Sequence, residues 1–158
     1  MIIFAIMFLS ESIFKTVISS TPLISIDLVI KNSKSQFLLG CRNNKPAQGY
    51  WFVPGGRILK DENIEQAFSR LVLNEVGMQV RLSNSKFKGV YEHFYDDYVY
   101  GNEITTHYVV LAYELNIDLN LDDLPKQQHC DYKWFTESEL LASAEVHKHS
   151  KWYLDKNV

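Results

Sequence analysis

A glycine pair followed by spaced charges constrains this chain of 158 residues more than any other feature. Gly55-Gly56 closes a short apolar segment, and Asn63 to Val76 behind it carries helical periodicity that Gly77 ends as a C-cap. The spaced charges are Glu62, Arg70 and Glu75. Glycines at a strand end can turn sharply and bring backbone oxygens and amides close to a ligand, as phosphate and cation sites require. A lone pair would indicate a plain tight turn, whereas this spacing predicts a binding loop.

The same segment resembles the Nudix box, GG-x5-E-x7-REUxEE-x-GU, in which U is an aliphatic residue. The matching residues are the two glycines, Glu62, Arg70, Val72, Glu75, Gly77 and Met78. Leu71 and Asn74 stand where the box has glutamates, and positions 71, 74 and 75 share one helix face. In the intact box that face is a carboxylate cluster able to hold several hard divalent cations. Because Glu75 is the charge that remains there, the sequence predicts one metal ion instead of a multi-metal site.

The wider pattern is similar to the GDP-mannose mannosyl hydrolases, a Nudix subfamily. The resemblance runs from about Met7 to about Trp152 and rests on PAQGYWFVPGG, GGRxxKDExxxxAFxRLxxxExG, HFYDD and QxH. It implies hydrolysis of GDP-mannose, with GDP-glucose as a poorer substrate, to GDP and free sugar by water attack at the anomeric carbon. It also implies one Mg2+ per subunit, a homodimer, and a role in surface polysaccharide synthesis.

The resemblance assigns roles to individual residues. The implied metal ligands are the Gly55 carbonyl, the Glu75 carboxylate and Gln128. The implied general base is His129, and the implied diphosphate-stabilising groups are Arg42 and Arg57. The positions that match residues near the reacting sugar are Asp27 and Tyr108. Those that match nucleotide contacts are Phe8, Leu9 and Phe14, which the sequence alone would place in the core.

Some of these roles have independent support in residue chemistry. Asp27 puts a charge in an otherwise apolar strand, which is costly without a partner and points to a functional site. Arg42 and Arg57 lie at strand ends flanking the glycines, where planar guanidinium groups suit bidentate phosphate contacts. Surface salt bridging is the alternative for both. His129 follows Pro125 in a predicted loop, and a histidine titrates near neutral pH, so it can accept a proton from water.

Glu62 and Arg70 have a structural interpretation. We expect them to form an ion pair that braces the glycine loop against the helix. The alternative is a solvated helix face. In either case these two residues support the site and do not react.

Composition limits the remaining classes of function. The formal net charge of -3 gives no general attraction to nucleic acid. Cys41 and Cys130 lack the spacing of a metal site or a disulfide framework, which fits a reducing cytoplasm.

The opening MIIFAIMFL is too short to span a bilayer and lacks the basic start of a signal peptide. Residues 1–6 are interpreted as an extension from an alternative start codon, with a membrane-active end as the alternative.

The order of predicted elements favours an α/β fold with a mixed β-sheet sandwiched between α-helices, as the Nudix resemblance also implies. An amphipathic helix begins at Ser10 or Ser12 and ends before Pro22, and a capping box at Thr136 opens another. The predicted strands are 23–30, 37–39, 50–53, 87–93, 105–115 and 132–135. No repeat or linker interrupts the chain, so we expect one domain over residues 1–158.

Three activities follow as hypotheses. The first is Mg2+-dependent hydrolysis of GDP-mannose at carbon with inversion. The second is a conventional Nudix pyrophosphohydrolase that attacks phosphorus, against which Leu71 and Asn74 stand. The third is a Nudix fold kept as a ligand sensor without turnover. Retention of Gly55, Glu75 and Gln128 argues against the sensor, because a sensor need not keep a set of metal ligands.

Overall fold

The computed structural model describes residues 9–127 and 129–154. The predicted extension over residues 1–6 lies outside the described residues. The helices are α1 (Glu11–Ser20), α2 (Ile64–Val76), α3 (Glu137–Ala142) and α4 (Lys148–Trp152). The strands are β1 (Leu23–Lys31), β2 (Phe37–Arg42), β3 (Trp51–Phe52), β4 (Gly55–Arg57), β5 (Lys86–Tyr95), β6 (Thr106–Asn116) and β7 (His129–Phe135).

Within the described ranges, the strands form one mixed sheet of seven. Its central path runs β3-β2-β1-β6-β5, while β4 pairs with β1 and β7 pairs with β2. The β1–β6 pair is parallel and the other pairs are antiparallel. In the β1–β4 register Asp27 lies opposite Gly55, which brings a predicted sugar-site residue beside a predicted metal ligand.

The two faces of the sheet bury separate apolar clusters. Successive residues of β1, such as Leu28 and Val29, point to opposite faces. On the first face, the apolar residues of α2 pack with Ile26, Leu28, Ile30 and Leu38. On the second, Leu140 of α3 and Tyr153, which follows α4, pack with Val29 and Leu39. The predicted α/β arrangement of a mixed sheet between helices is therefore confirmed.

Local capping explains where the helices begin and end. At the start of α2 the Asn63 side chain accepts from the Gln66 backbone amide, and the Gln66 side chain accepts from the Asn63 amide. Gly77 ends α2 in a left-handed conformation with φ of 73°, as predicted. Ser10 caps α1, and Thr136 forms the predicted capping box with Glu139.

Two local predictions were wrong. Gly55 and Gly56 do not form a sharp turn, because they lie in β4, where a β-carbon on Gly56 would come 2.7 Å from Cδ2 of Leu71. The glycines are needed for close packing of the strand rather than for turning. His129 does not lie in a loop, because it is the first residue of β7.

Among the described helices, none has the length and apolar character needed to cross a membrane.

Candidate active site

A pocket of about 260 Å³ brings together six of the predicted site residues from five strands. They are Asp27, Arg42, Gly55, Arg57, Tyr108 and His129. The helix α2 contributes Arg70, Leu71 and Asn74 to the same wall. All seven strands supply at least one lining residue, so the pocket depends on the whole sheet.

The predicted base and the predicted metal ligand are in direct contact. The Nε2 atom of His129 lies 3.1 Å from the Oε2 atom of Glu75. Both residues are almost fully buried, with 5% and 2% of their surfaces exposed. The Glu75 carboxylate can therefore accept a hydrogen bond from an Nε2–H, and the two side chains orient each other.

The ring of His129 is held from its other side by Gly40. A β-carbon placed on Gly40 would come 2.6 Å from Cγ of His129, so a side chain there would displace the ring. The Nδ1 atom of His129 is buried and has no hydrogen-bond partner among the described residues. The ring of Tyr132 lies 5.2 Å from the ring of His129, and its hydroxyl donates to the Pro125 backbone oxygen at 2.6 Å.

The helix face over the pocket carries one carboxylate, as the sequence predicted. Leu71 and Asn74 line the pocket wall, and Leu71 is buried against the glycine strand. Glu75 is a buried carboxylate whose side-chain partner within the described ranges is His129. A cation bound to Glu75 would compensate this buried charge, which is costly when it is uncompensated.

The predicted ligands fit Mg2+ by their chemistry. Hard divalent cations take carboxylate and carbonyl oxygens, which Glu75 and the Gly55 backbone carry. A side chain does not fit at position 55, because a β-carbon there would come 2.6 Å from Oδ1 of Asp27. The backbone at this position is therefore not covered by a side chain of its own. The third predicted ligand, Gln128, lies outside the described residues.

Glu62 and Arg70 form the predicted ion pair. The Arg70 Nε and Nη2 groups donate to Glu62 Oε1 at 2.6 Å and to Oε2 at 2.8 Å. The Nη2 group also donates to the backbone oxygen of Arg57 at 2.8 Å. Burial acts to raise the pKa of Glu62, but the hydrogen bonds from Arg70 and the Leu59 amide outweigh it, so the pKa is lowered. The pair ties α2 to β4 and thereby fixes the pocket wall.

Asp27 has the buried partner that its position in an apolar strand requires. The hydroxyl of Tyr153 donates to Asp27 Oδ2 at 2.5 Å and lies 3.2 Å from Nε2 of His93. Burial raises the pKa of Asp27 to about 7, while the Tyr153 hydrogen bond and the Arg42 charge act to lower it and the Glu75 charge adds to the rise. The carboxyl group can therefore gain or lose a proton near neutral pH.

Aromatic rings hold both predicted phosphate-binding arginines. The Arg57 guanidinium carbon lies 4.4 Å from the ring centre of Phe14, and that of Arg42 lies 5.8 Å from the ring centre of Phe52. Such contacts leave the N–H groups free for an anion. Phe14 is thus adjacent to the pocket through Arg57. Leu9 is half-buried and is not among the residues that line the pocket, and Phe8 lies outside the described residues.

The sequence analysis assigned no individual roles to a group of aromatic residues behind Asp27. His93 and Tyr95 line the pocket from β5, and Tyr153 contacts Asp27 from the end of the chain. The ring of His149 stacks on that of His93 at 4.1 Å. The signal for His93 was available in the HFYDD segment, whereas no local pattern marks Tyr153 or His149.

Comparisons with known proteins agree with this architecture. The sequence model of the family described as NUDIX domain matches residues 21–155. The low-salt glycan biosynthesis protein Agl8 of Haloferax volcanii is 36% identical over 125 residues, which cover 77% of this chain and 76% of that protein.

Solved structures show the same fold. A MutT NUDIX hydrolase from Burkholderia pseudomallei superposes with a TM-score of 0.69 at 19% identity, covering 87% of this chain and 99% of its own. A MutT protein from Methanosarcina mazei Go1 gives 0.67 at 20% identity, covering 85% and 91%. The family model matches most of the chain, and the glycine strand, the helix α2 and the pocket between them agree with that match. This chain therefore belongs to the Nudix hydrolase family.

Proposed function

We propose that this protein hydrolyses GDP-mannose, and GDP-glucose more slowly, to GDP and free sugar in a Mg2+-dependent reaction in which water attacks the anomeric carbon with inversion. The observation that carries the proposal is the combination of one carboxylate on the α2 face with a histidine in contact with it. Leu71 and Asn74 leave Glu75 as the acidic group there, and His129 lies 3.1 Å from it. This set supports one metal ion and one base.

The diphosphate is the part of the substrate that the metal and the arginines would bind. Glu75, Gly55 and Gln128 would hold Mg2+, which neutralises charge on the diphosphate when bound. Arg42 and Arg57 supply planar donors from the same pocket. Together these charges make GDP a good leaving group, so no general acid is required at the departing oxygen.

Water is activated by His129. In the tautomer that carries hydrogen on Nδ1, the Nε2 atom is free to accept the proton of water, and the resulting Nε2–H then donates to the Glu75 carboxylate. The oxygen of the water then bonds to the anomeric carbon, while the bond from that carbon to the diphosphate breaks and its electron pair leaves with GDP. A single displacement by water inverts the configuration at carbon.

In this proposal, the buried Asp27 lies beside the anomeric carbon, where positive charge develops on the sugar. It lines the pocket beside Tyr108, and Tyr153 fixes one of its oxygens. A carboxylate next to an oxocarbenium-like centre stabilises that centre, which gives Asp27 a role separate from that of His129. Phe8, Leu9 and Phe14 complete the proposal as the nucleotide-side contacts.

Two observations support a role in sugar metabolism. The Haloferax volcanii relative is described as a glycan biosynthesis protein, which fits turnover of an activated sugar. The pocket also combines an acidic side chain for a sugar with two arginines for phosphates. We further propose a cytoplasmic homodimer, for which light scattering after size-exclusion chromatography gives the subunit number.

Product analysis tests the proposal. The protein is incubated with GDP-mannose and Mg2+ while phosphorus and anomeric proton signals are followed by NMR. GDP together with β-mannose is the expected pair of products. GMP together with mannose 1-phosphate would instead identify a conventional Nudix pyrophosphohydrolase, and unchanged GDP-mannose would favour the ligand sensor.

A further inference from the structure

The two cysteines lie on paired strands, next to two residues of the proposed machinery. Cys41 precedes Arg42 at the end of β2, and Cys130 follows His129 at the start of β7. The strands are antiparallel, and their register shifts between Cys41 and Arg42, so that Cys130 is the extra residue of a bulge. The distant sequence positions of the cysteines gave no indication of this proximity.

The thiols are within reach of each other. The Cys130 thiol donates to the backbone oxygen of Cys41 at 3.5 Å. In the β2–β7 register Cys41 lies opposite Asp131 and Arg42 lies opposite His129, so Cys130 sits in the bulge between these two pairs, and a disulfide needs Cα atoms about 4.4–6.8 Å apart. Because the Cys130 thiol already contacts the Cys41 backbone, a change of side-chain rotamer and a movement of the bulge would join the sulfur atoms.

The two thiols differ in access. Cys130 is exposed, whereas Cys41 is partly buried. Burial, together with contact with the Cys130 thiol and the negative charges of Asp131 and Glu145, raises the pKa of Cys41 to about 11. Cys130 is therefore the thiol that meets a reagent first, and Cys41 is the resolving partner.

We propose that Cys41 and Cys130 form a reversible disulfide by exchange with a small disulfide, and that this bond alters the placement of Arg42 and His129. The Cys130 thiolate attacks one sulfur of the small disulfide, forms a mixed disulfide and releases one thiolate. The Cys41 thiol then loses its proton to solvent and attacks the Cys130 sulfur, which expels the second thiolate. Two electrons pass from the two cysteines to the small disulfide, which becomes two thiols.

The cross-link changes the site because it restricts the backbone at the bulge between β2 and β7. His129 is positioned by Glu75 on one side and Gly40 on the other, so a shift at the start of β7 moves its ring out of contact. Displacements of about 1 Å can lower catalysis by about 10²-fold. The effect on turnover rests on the proposed function, whereas formation of the bond does not.

Mass spectrometry of the full chain after treatment with oxidised glutathione tests the bond. The wild-type protein should lose two hydrogen atoms and carry no adduct, while Cys41→Ser should stop at one glutathione adduct. Cys130→Ser should remain largely unmodified. A wild-type protein that keeps the adduct, keeps both free thiols or cross-links to a second chain would overturn the proposal.

The consequence is measured on the same samples. The oxidised wild-type protein should hydrolyse GDP-mannose at least about tenfold more slowly, recover on addition of dithiothreitol, and show a shifted imidazole NMR signal for His129. Oxidised Cys130→Ser should keep the rate of its reduced form. An oxidised protein with unchanged turnover and an unchanged His129 signal would overturn the control of the site. If the reduced protein has no activity, the proposed function fails, and the mass and the His129 signal still decide this inference.

Discussion

Nε2 of His129, a residue that lines the pocket, lies 3.1 Å from Oε2 of Glu75, which is buried and is not among the lining residues. The contact joins the first residue of β7 to the penultimate residue of α2. It means that the proposed base and the proposed metal ligand are not independent. A change in either residue alters the orientation of the other, so the two must be separated by measuring turnover and metal binding in parallel.

Replacing His129 by Gln should lower kcat for GDP-mannose by about 10²-fold or more, because the base is lost. Mg2+ binding should be nearly unchanged, since the Gln amide can still donate to Glu75. Steady-state kinetics and titration with Mn2+ followed by electron paramagnetic resonance measure the two effects. Retention of full turnover would remove His129 as the base.

Replacing Glu75 by Gln should raise the Mg2+ concentration needed for half-maximal activity by about tenfold or more, because the charged ligand is lost. Glu65→Gln is the matched control, since Glu65 lies exposed in the first turn of the same helix. The control should respond to Mg2+ as the wild type does. If Glu75→Gln and Glu65→Gln gave the same metal titration as the wild type, Glu75 would not be a ligand.

Local signals made α2 and its caps predictable. Asn63 and Gly77 cap α2 through hydrogen bonds to residues a few positions away, so the local sequence is enough to predict where the helix begins and ends. The Glu62–Arg70 pair was also predicted, because its members are only eight residues apart, one just before α2 and one within it. The Nudix resemblance supplied the candidate residues that the pocket then brought together.

Long-range pairing explains what the sequence did not predict. Gly55 and Gly56 form a strand because β1 lies beside them, and nothing within the glycine segment specifies that partner. His129 is in a strand for the same reason, through its pairing with β2. The Tyr153 contact with Asp27 joins the end of the chain to its first strand, a distance that no local pattern spans.

Arg70→Met should reduce the free energy of unfolding by about 2 kcal/mol, because Glu62 keeps a partly buried charge without its partner. Lys60→Ala removes an ion pair with Asp61 whose side chains are 89% and 83% exposed, and it should change stability by no more than about 0.5 kcal/mol. Urea unfolding of both variants makes the comparison. Equal effects of the two substitutions would show that the Arg70 pair does not brace the fold.

The protein should lose stability as the pH falls below about 6.5. Burial lowers the folded-state pKa of His93 to about 3, of His147 to about 4 and of His149 to about 2, from 6.5. The unfolded chain therefore binds more protons below pH 6.5, so the stability present above this value is lost on acidification. The raised pKa of Asp27 acts in the opposite direction, but one carboxyl group opposes three histidines.

Urea unfolding at several pH values between 7.5 and 4.5 measures this dependence. Each extra proton on the unfolded chain contributes a slope of about 1.4 kcal/mol per pH unit. His149→Asn should make the slope shallower, because it removes one of the three buried groups. A slope identical to that of the wild type would contradict the assignment of His149 as a neutral buried histidine.

The most direct test of the proposed chemistry is the position of the oxygen that water delivers. Hydrolysis of GDP-mannose in water enriched in 18O, with Mg2+ present, is followed by mass spectrometry of the sugar and the nucleotide after brief reaction. Attack at carbon places the label on mannose and none on GDP, and this is the expected result. Label on a phosphate group would show attack at phosphorus and would contradict the proposed function.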